Sequence, residues 1–275
     1  MTATTNSSLR FGRLLLTGAA GSLGRELRPR LKAYCENLRL SHRAEMGAAG
    51  PGEEIVIAAL EDKAAMQALL KGVDAVVHMG GVSTEKTWHA ILDANIVGMV
   101  NLYEAARANG VKRIVFASSN HVTGFYRQDS VISPQDPVRP DGFYGLSKAF
   151  GENLAQLYWN KHGIETVSLR IGSSYAEPKD RRMLATWMSF DDTERLIVAA
   201  LSAPVVGHSI IYGMSDNSTT WWDNSSARHI GYRPKDSSEK FRAAVEARQP
   251  TIDPTQPAAA HQGGAFVTQG PYFED

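Results

Sequence analysis

Arg13-Leu-Leu-Leu-Thr17-Gly18-Ala-Ala-Gly21-Ser-Leu-Gly24 is the stretch that decides the fold. Its three leucines form a continuous apolar run, the pattern of a strand buried on both faces. Glycines follow at every third position, and a helical stretch then extends to about Leu31. A strand, a tight glycine turn and a helix in that order let backbone N–H groups approach a pyrophosphate at the helix N-terminus. The spacing is G-x-x-G-x-x-G rather than G-x-G-x-x-G. An ordinary strand–helix turn uses glycine too. The apolar strand ahead of the turn favours a dinucleotide, with Gly18, Gly21, Ser22, Leu23 and Gly24 around it.

The same alternation continues outward. Short apolar runs near Asn37–Leu40, Glu54–Ile57, Ala75–His78, Arg113–Ala117 and Thr166–Arg170 alternate with helical stretches at Lys63–Leu70, Trp88–Asn109 and Tyr144–His162. Strands separated by helices imply right-handed crossovers and a parallel sheet. The fold class is therefore α/β: a doubly wound (Rossmann-type) parallel sheet with helices on both faces and a small C-terminal substrate lobe. Residues 1–11 are expected to be disordered, 12–171 to form the dinucleotide-binding core, and 172–275 to fold onto it as lobe and tail, in one compact unit. Phe125 to Pro140, with three prolines and no periodicity, is expected to be a long loop.

Composition narrows the function. The chain has 275 residues, 43% hydrophobic and 21% charged, and its 29 basic and 29 acidic side chains balance. That is globular, without the basic footprint of a nucleic-acid binder. Cys35 is the single cysteine, so neither an intramolecular disulfide nor a cysteine metal cluster can form. No apolar run approaches the roughly 20 residues that span a bilayer, and Met1–Arg10 lacks the apolar core of a signal peptide. A cytoplasmic protein is the expectation, without membrane or nucleic-acid partners.

The end of the second strand should read the adenosine ribose. A carboxylate there accepts from the 2′-hydroxyl, whereas a basic residue accommodates a 2′-phosphate. Leu40-Ser41-His42-Arg43 stands at that place without a carboxylate, so His42 and Arg43 lean towards NADP, unless both are ordinary exposed turn residues.

Tyr144-Gly-Leu-Ser-Lys148 sets a phenol and an ammonium four residues apart on one helix face. A tyrosine with an ordinary pKa near 10 needs help to act as a base, and the neighbouring Lys cation together with a positive oxidised nicotinamide is expected to favour the phenolate. Ser118-Ser119-Asn120-His121 ends the fifth strand, on the sheet edge where such folds bind ligands. Successive strand residues face opposite ways, so one serine reaches the cleft. Ser119 is taken as the hydroxyl that orients the substrate oxygen. His121 is a possible base ranked below Tyr144.

Together the glycines, the strand-end serine and Tyr-x-x-x-Lys resemble the extended short-chain dehydrogenase/reductases. Within that group the strings His78-Met-Gly-Gly-Val-Ser83, Phe116-Ala-Ser-Ser-Asn-His121, Arg170-Ile-Gly-Ser173 and Trp221-Trp-Asp-Asn224 are similar to bacterial uronate dehydrogenases, over about Arg13 to Phe266. The resemblance implies oxidation of the C1 hydroxyl of galacturonate or glucuronate to the aldarolactone, with NAD as acceptor. It implies Tyr144 as base, Lys148 as its partner and ribose anchor, and Ser119 as orienter. It also implies Ser83, Asn120, His121 and Ser173 as sugar contacts, Arg182 on the carboxylate, and Phe266 closing the pocket. A bidentate arginine suits a carboxylate on physical grounds, but Arg181 and Arg182 are adjacent and the residues alone do not choose between them. The chain departs from the group at His42, where an acidic residue is usual, and at Ala59-Leu60, where Asp-Leu near the adenine is usual. Both departures put the NAD preference in question and leave the sugar side untouched. A nucleotide-sugar epimerase or dehydratase shares the glycines and the Tyr–Lys pair but needs a larger C-terminal lobe. A non-catalytic NADP-sensing protein is the reading from another class. Apolar stripes on the Trp88 and Tyr144 helices are those of a core; the resemblance implies that they also pair across a two-fold axis, so a homo-oligomer is the expectation, and Trp221 and Trp222 should pack the lobe.

Overall fold

The computed structural model describes residues 10–273 apart from 250 and 252. Its first half runs β1 (Phe11–Thr17), α1 (Ser22–Leu31), β2 (Cys35–His42), β3 (Glu53–Ile57), α2 (Lys63–Leu69), β4 (Ala75–His78), α3 (Trp88–Ile91), α4 (Gly98–Ala108) and β5 (Arg113–Ser119). There follow α5 (Phe143–His162), β6 (Glu165–Ile171), β7 (Ser173–Ser174), α6 (Met183–Thr186), β8 (Trp187–Met188), α7 (Phe190–Ser202), β9 (His208–Gly213), α8 (Arg242–Arg248) and α9 (Pro257–Ala260). Seven strands pair in parallel in the order β3-β2-β1-β4-β5-β6-β9. The chain reverses its direction across the sheet between β1 and β4, and a crevice opens at the C-terminal strand ends beside that point.

The apolar runs account for the two layers. Leu14 and Leu16 of β1 join Leu27, Leu38, Leu196 and Ile197 on one face, while Leu15 joins Met66, Val76, Leu102 and Tyr103 on the other. Removing that much apolar surface from water on both sides is what holds a parallel sheet. Asp62 caps α2 by accepting the Ala65 N–H at 3.0 Å, and Ser189 caps α7 by accepting the Asp192 N–H at 2.9 Å.

Three features differ from, or lie outside, the reading of the sequence. The expected disordered stretch 1–11 falls outside the described residues up to residue 9, and Phe11 already belongs to β1, in register with Cys35 of β2. The single helix expected over Trp88–Asn109 is interrupted by a π-helical turn, Leu92–Val97. That wider turn lets Asn95 tie Val82 and Ser147 together, as described below. Finally, β9 lies in the sheet beside β6, so residues beyond 172 complete the sheet as well as cover it. The covering part packs Trp221, Trp222, Tyr212, Ile132 and Ala185 into a third cluster, with Trp222 stacked on Tyr212 at 4.8 Å. Among the described residues no helix is long and apolar enough to cross a membrane.

Candidate active site

One crevice of about 970 Å³ runs across the C-terminal strand ends from the glycine turn to Phe266. Every residue singled out from the sequence as a site candidate lines it, with the exceptions given below.

At one end, Gly18 has φ +70°, and a Cβ there would lie 2.5 Å from the Met79 carbonyl oxygen, so the turn between β1 and α1 requires glycine. A Cβ on Gly24 would overlap the Gly18 carbonyl, which keeps α1 close against the turn. The first turn of α1 carries no carboxylate. Free N–H groups and a positive helix end, with backbone able to approach closely, fit a pyrophosphate. Beside this turn, His42 Nδ1 accepts the Ala44 N–H at 2.9 Å, which leaves its proton on Nε2. Partial burial and the neighbouring Arg43 lower the His42 pKa, so it is neutral at pH 7. Arg43 is exposed.

The Ala59 expectation needs correction. Ala59 does not line the crevice; Ala58, Leu60 and Glu61 do. This end of the crevice therefore carries an exposed carboxylate, Glu61, that the reading of the sequence left out.

The middle holds the Tyr–Lys pair. Both Glu85 oxygens cap α5, accepting the Phe143 and Tyr144 N–H groups at 2.9 and 2.8 Å. Ser147 donates to the Tyr144 carbonyl at 2.7 Å and accepts from Asn95 at 2.9 Å, and Asn95 exchanges bonds with the Val82 backbone. The helix that presents Tyr144 and Lys148 is thus held at its first turn from two sides. Lys148 Nζ donates to the Ala117 carbonyl at 2.8 Å and lies 5.7 Å from the Tyr144 ring centre. Ser119 lies near enough to the Tyr144 hydroxyl to pull its pKa down and accepts the His121 N–H at 3.2 Å, while Ser118 Oγ donates to the buried Glu152 at 2.6 Å. Both serines line the crevice, but the Ser118 hydroxyl is engaged by Glu152. In the protein alone the Tyr144 pKa moves the other way; the expected lowering rests on Lys148 together with a positive nicotinamide. Burial pushes it up to about 12, the nearby Ser119 hydroxyl opposes that shift and Asp141 adds to it. Lys148 is pulled down to about 8 by the same burial. Its 5.7 Å offset from the ring, and the cost of desolvating both groups, outweigh their mutual effect.

At the far end, Arg182 faces the crevice and Arg181 does not, since Arg181 Nε donates to the Gln249 carbonyl at 2.6 Å. Arg182 Nε donates to the Gln262 carbonyl at 2.6 Å, and its Nη2 donates to the Asn120 amide oxygen at 2.8 Å, whose amide nitrogen reaches the Ile171 carbonyl at 3.1 Å. Among the described residues no carboxylate ion-pairs with Arg182. His121 stacks on Phe266 with ring centres 3.8 Å apart, meets the Tyr144 ring edge-on at 5.8 Å, and bonds Asp141 through Nδ1 at 2.7 Å. Ser173 shares a 2.9 Å hydroxyl–hydroxyl bond with Thr186, and Ser83 is exposed on the opposite wall. Phe266 reaches this end because Gln262 and Gly263 donate backbone bonds to Tyr126 and Gly124 at 2.7 and 2.8 Å. Asp141, Glu85 and Glu61 escaped the sequence reading, and Gln262 entered it only as the start of the string that ends in Phe266. Each stands in a loop or segment without periodicity, where nothing marks a residue until the chain is folded.

The model of the NAD dependent epimerase/dehydratase family matches residues 14–202. The chain is 58% identical to the uronate dehydrogenase of Pseudomonas putida, over 95% of this chain and 98% of that one. It is 50% identical to the uronate dehydrogenase of Agrobacterium fabrum, again over 95% and 98%. Among solved structures, it superposes with a TM-score of 0.94 and 48% identity on a tyrosine-to-alanine variant of uronate dehydrogenase from Agrobacterium tumefaciens complexed with NAD, over 96% of this chain and 100% of that one.

Proposed function

The chain belongs to the NAD dependent epimerase/dehydratase family and groups with its uronate dehydrogenases, and from that premise we propose that it oxidises the C1 hydroxyl of a hexuronate, galacturonate or glucuronate, to the aldarolactone. The crevice observation that carries this reading is Arg182. A partly buried guanidinium anchored by a carbonyl and an amide, with Asp180 and Asp141 near it but no carboxylate in ion-pair contact among the described residues, is a charge that an anionic substrate can pair. It shares its crevice with the Ser119–Tyr144–Lys148 group.

Tyr144 takes the C1 hydroxyl proton, and Ser119 orients that oxygen. The dinucleotide, when bound, accepts the C1 hydride; loss of hydride and proton leaves the lactone carbonyl. Lys148 holds the ribose and, with the positive nicotinamide ring, favours the phenolate that burial alone disfavours. Asn120, His121, Ser83 and Ser173 receive the sugar hydroxyls, and Phe266 keeps water from the reacting carbon. Gly18, Gly21, Ser22, Leu23 and Gly24 would cradle the pyrophosphate, with Leu60 on the adenine.

The cofactor is NAD in the solved relative, and we extend that to NAD(P) here. Arg43 and the Nε2–H of His42 are donors suited to a 2′-phosphate, while Glu61 opposes it. An epimerase reading is not favoured, because uronate dehydrogenases match nearly the whole chain. We place the enzyme in the cytoplasm as a homo-oligomer.

Galacturonate against galactose tests the substrate. The wild type should prefer the uronate strongly, and Arg182→Met should lose most of that preference while Arg181→Met keeps it. Equal turnover of both sugars by the wild type would reject the reading.

A further inference from the structure

Asp141 has no exposed side-chain surface, and it stands between glycines. A first side-chain carbon at Gly124 or at Gly263 would overlap its carboxylate. Its Oδ2 meets His121 Nδ1 at 2.7 Å, its backbone N–H reaches the His121 carbonyl at 3.3 Å, and its Oδ1 is buried without a partner among the described residues. A carboxylate sealed this way is costly unless something uses it, and its one side-chain partner is a histidine that lines the crevice. Burial keeps the imidazole below its ordinary pKa despite the adjacent carboxylate, which makes it neutral. In a neutral imidazole the nitrogen that donates fixes the role of the other. Nδ1 donates to Asp141. Nε2 has no protein partner among the described residues.

We propose that Asp141 is a positioning residue that holds the His121 proton on Nδ1, so that Nε2 offers a lone pair to the crevice and selects a substrate that brings a hydroxyl to that point. The proposal deepens the uronate reading and rests on it for the sugar. It gives the sugar end of the crevice a polarity: Arg182 offers donors and takes the carboxylate, while His121 offers an acceptor and takes a hydroxyl. A sugar acid turned end for end would set its carboxylate against the Nε2 lone pair and a neutral hydroxyl against the Arg182 guanidinium. Stacking on Phe266 holds the ring plane, and Asp141 holds the proton.

The tautomer can be read directly by nitrogen NMR of histidine-labelled whole protein at neutral pH, with the His121 signals identified by their absence in His121→Phe. The expected spectrum has a protonated-type shift at Nδ1 and an unprotonated-type shift at Nε2; the reverse overturns the proposal. It is recorded without substrate, so its failure is distinct from failure of the uronate reading. Kinetics supply the second arm. Asp141→Asn should raise KM for galacturonate by about tenfold, the scale of one mispaired hydrogen bond, with a smaller change in kcat. In His121→Phe the same Asp141 change should add nothing, because Asp141 acts through His121. Wild-type KM in Asp141→Asn, or additive losses in the double variant, would overturn the positioning role. Should Asp141→Asn not fold, the wild-type spectrum decides alone.

Discussion

The two ends of the crevice are built on different physics. At the end proposed for the sugar, Ser119, Asn120, His121 and Tyr144 are buried; Arg182, anchored by Gln262, holds Asn120, and Asp141 holds His121. At the adenosine end, the backbone of a glycine turn does the holding, and the charges around it, Arg43 and Glu61, stand in solvent. Buried groups with fixed partners have few alternative positions, and an error in one leaves its partner unpaired in a low dielectric. Exposed charges are screened and can move. Changes at the sugar end should therefore act steeply on turnover, and changes at the adenosine end should shift preference gently.

Tyr144→Phe should produce the largest effect, a loss of about a thousandfold in kcat, the scale of general acid–base catalysis, with dinucleotide affinity retained by fluorescence titration. A modest loss would move the base elsewhere in the buried set. Next, Arg182→Met should lower kcat/KM for galacturonate by about a hundredfold, matching removal of one partner of a desolvated charge pair, and Arg182→Lys should recover only part of it because the fork is gone.

A third test sets stability against activity. The folded-state Lys148 value of about 8 lies below the ordinary 10.5, so at pH 7 the fold carries a charged group it disfavours. Above about 8 the native state releases that proton while the unfolded chain keeps it, so this group's contribution to stability rises from about 8 to 10.5. Lys148→Met should therefore abolish turnover yet be more stable than wild type at pH 7 by about 2 kcal/mol, after the lost Ala117 bond is set against the relieved burial. The Tm advantage should shrink as pH approaches 10.5. Tyr144 carries the opposite sign: its value of about 12 lies above 10, so the stability it contributes declines as pH rises from 10 to 12.

The smallest effect belongs to the adenosine end. His42→Asp with Arg43→Ile should shift the NADP/NAD ratio of kcat/KM towards NAD, and Glu61→Gln should shift it severalfold towards NADP, both less at high salt. An unmoved ratio would mean that the glycine turn alone sets dinucleotide affinity.

The same contrast explains what could be read from the sequence. Local patterns carry the sheet and the glycine turn: Leu14–Leu16 are apolar because both faces are covered, and Gly18 is glycine because its φ and the Met79 carbonyl demand it. Tyr144 and Lys148 are legible because one helix sets their spacing. Asp141, Glu85 and Gln262 become site residues only through contacts 20 or more positions away in sequence, such as Gln262 to Arg182 across 80. Nothing local marks them. The choice between Arg181 and Arg182 was closed for the same reason, since it depends on which side of one short turn meets the returning C-terminal segment. The π-helical turn at Leu92–Val97 was hidden because its residues suit an α-helix, and only the Asn95 bonds to Val82 and Ser147 require the wider ring.

Reduced-nicotinamide absorbance in a two-by-two assay, galacturonate or glucuronate with NAD or NADP, tests the uronate reading most directly. Turnover with at least one uronate that releases reduced cofactor into solution, and that vanishes in Tyr144→Phe, is the predicted result. Dinucleotide binding without turnover in all four wells would contradict it.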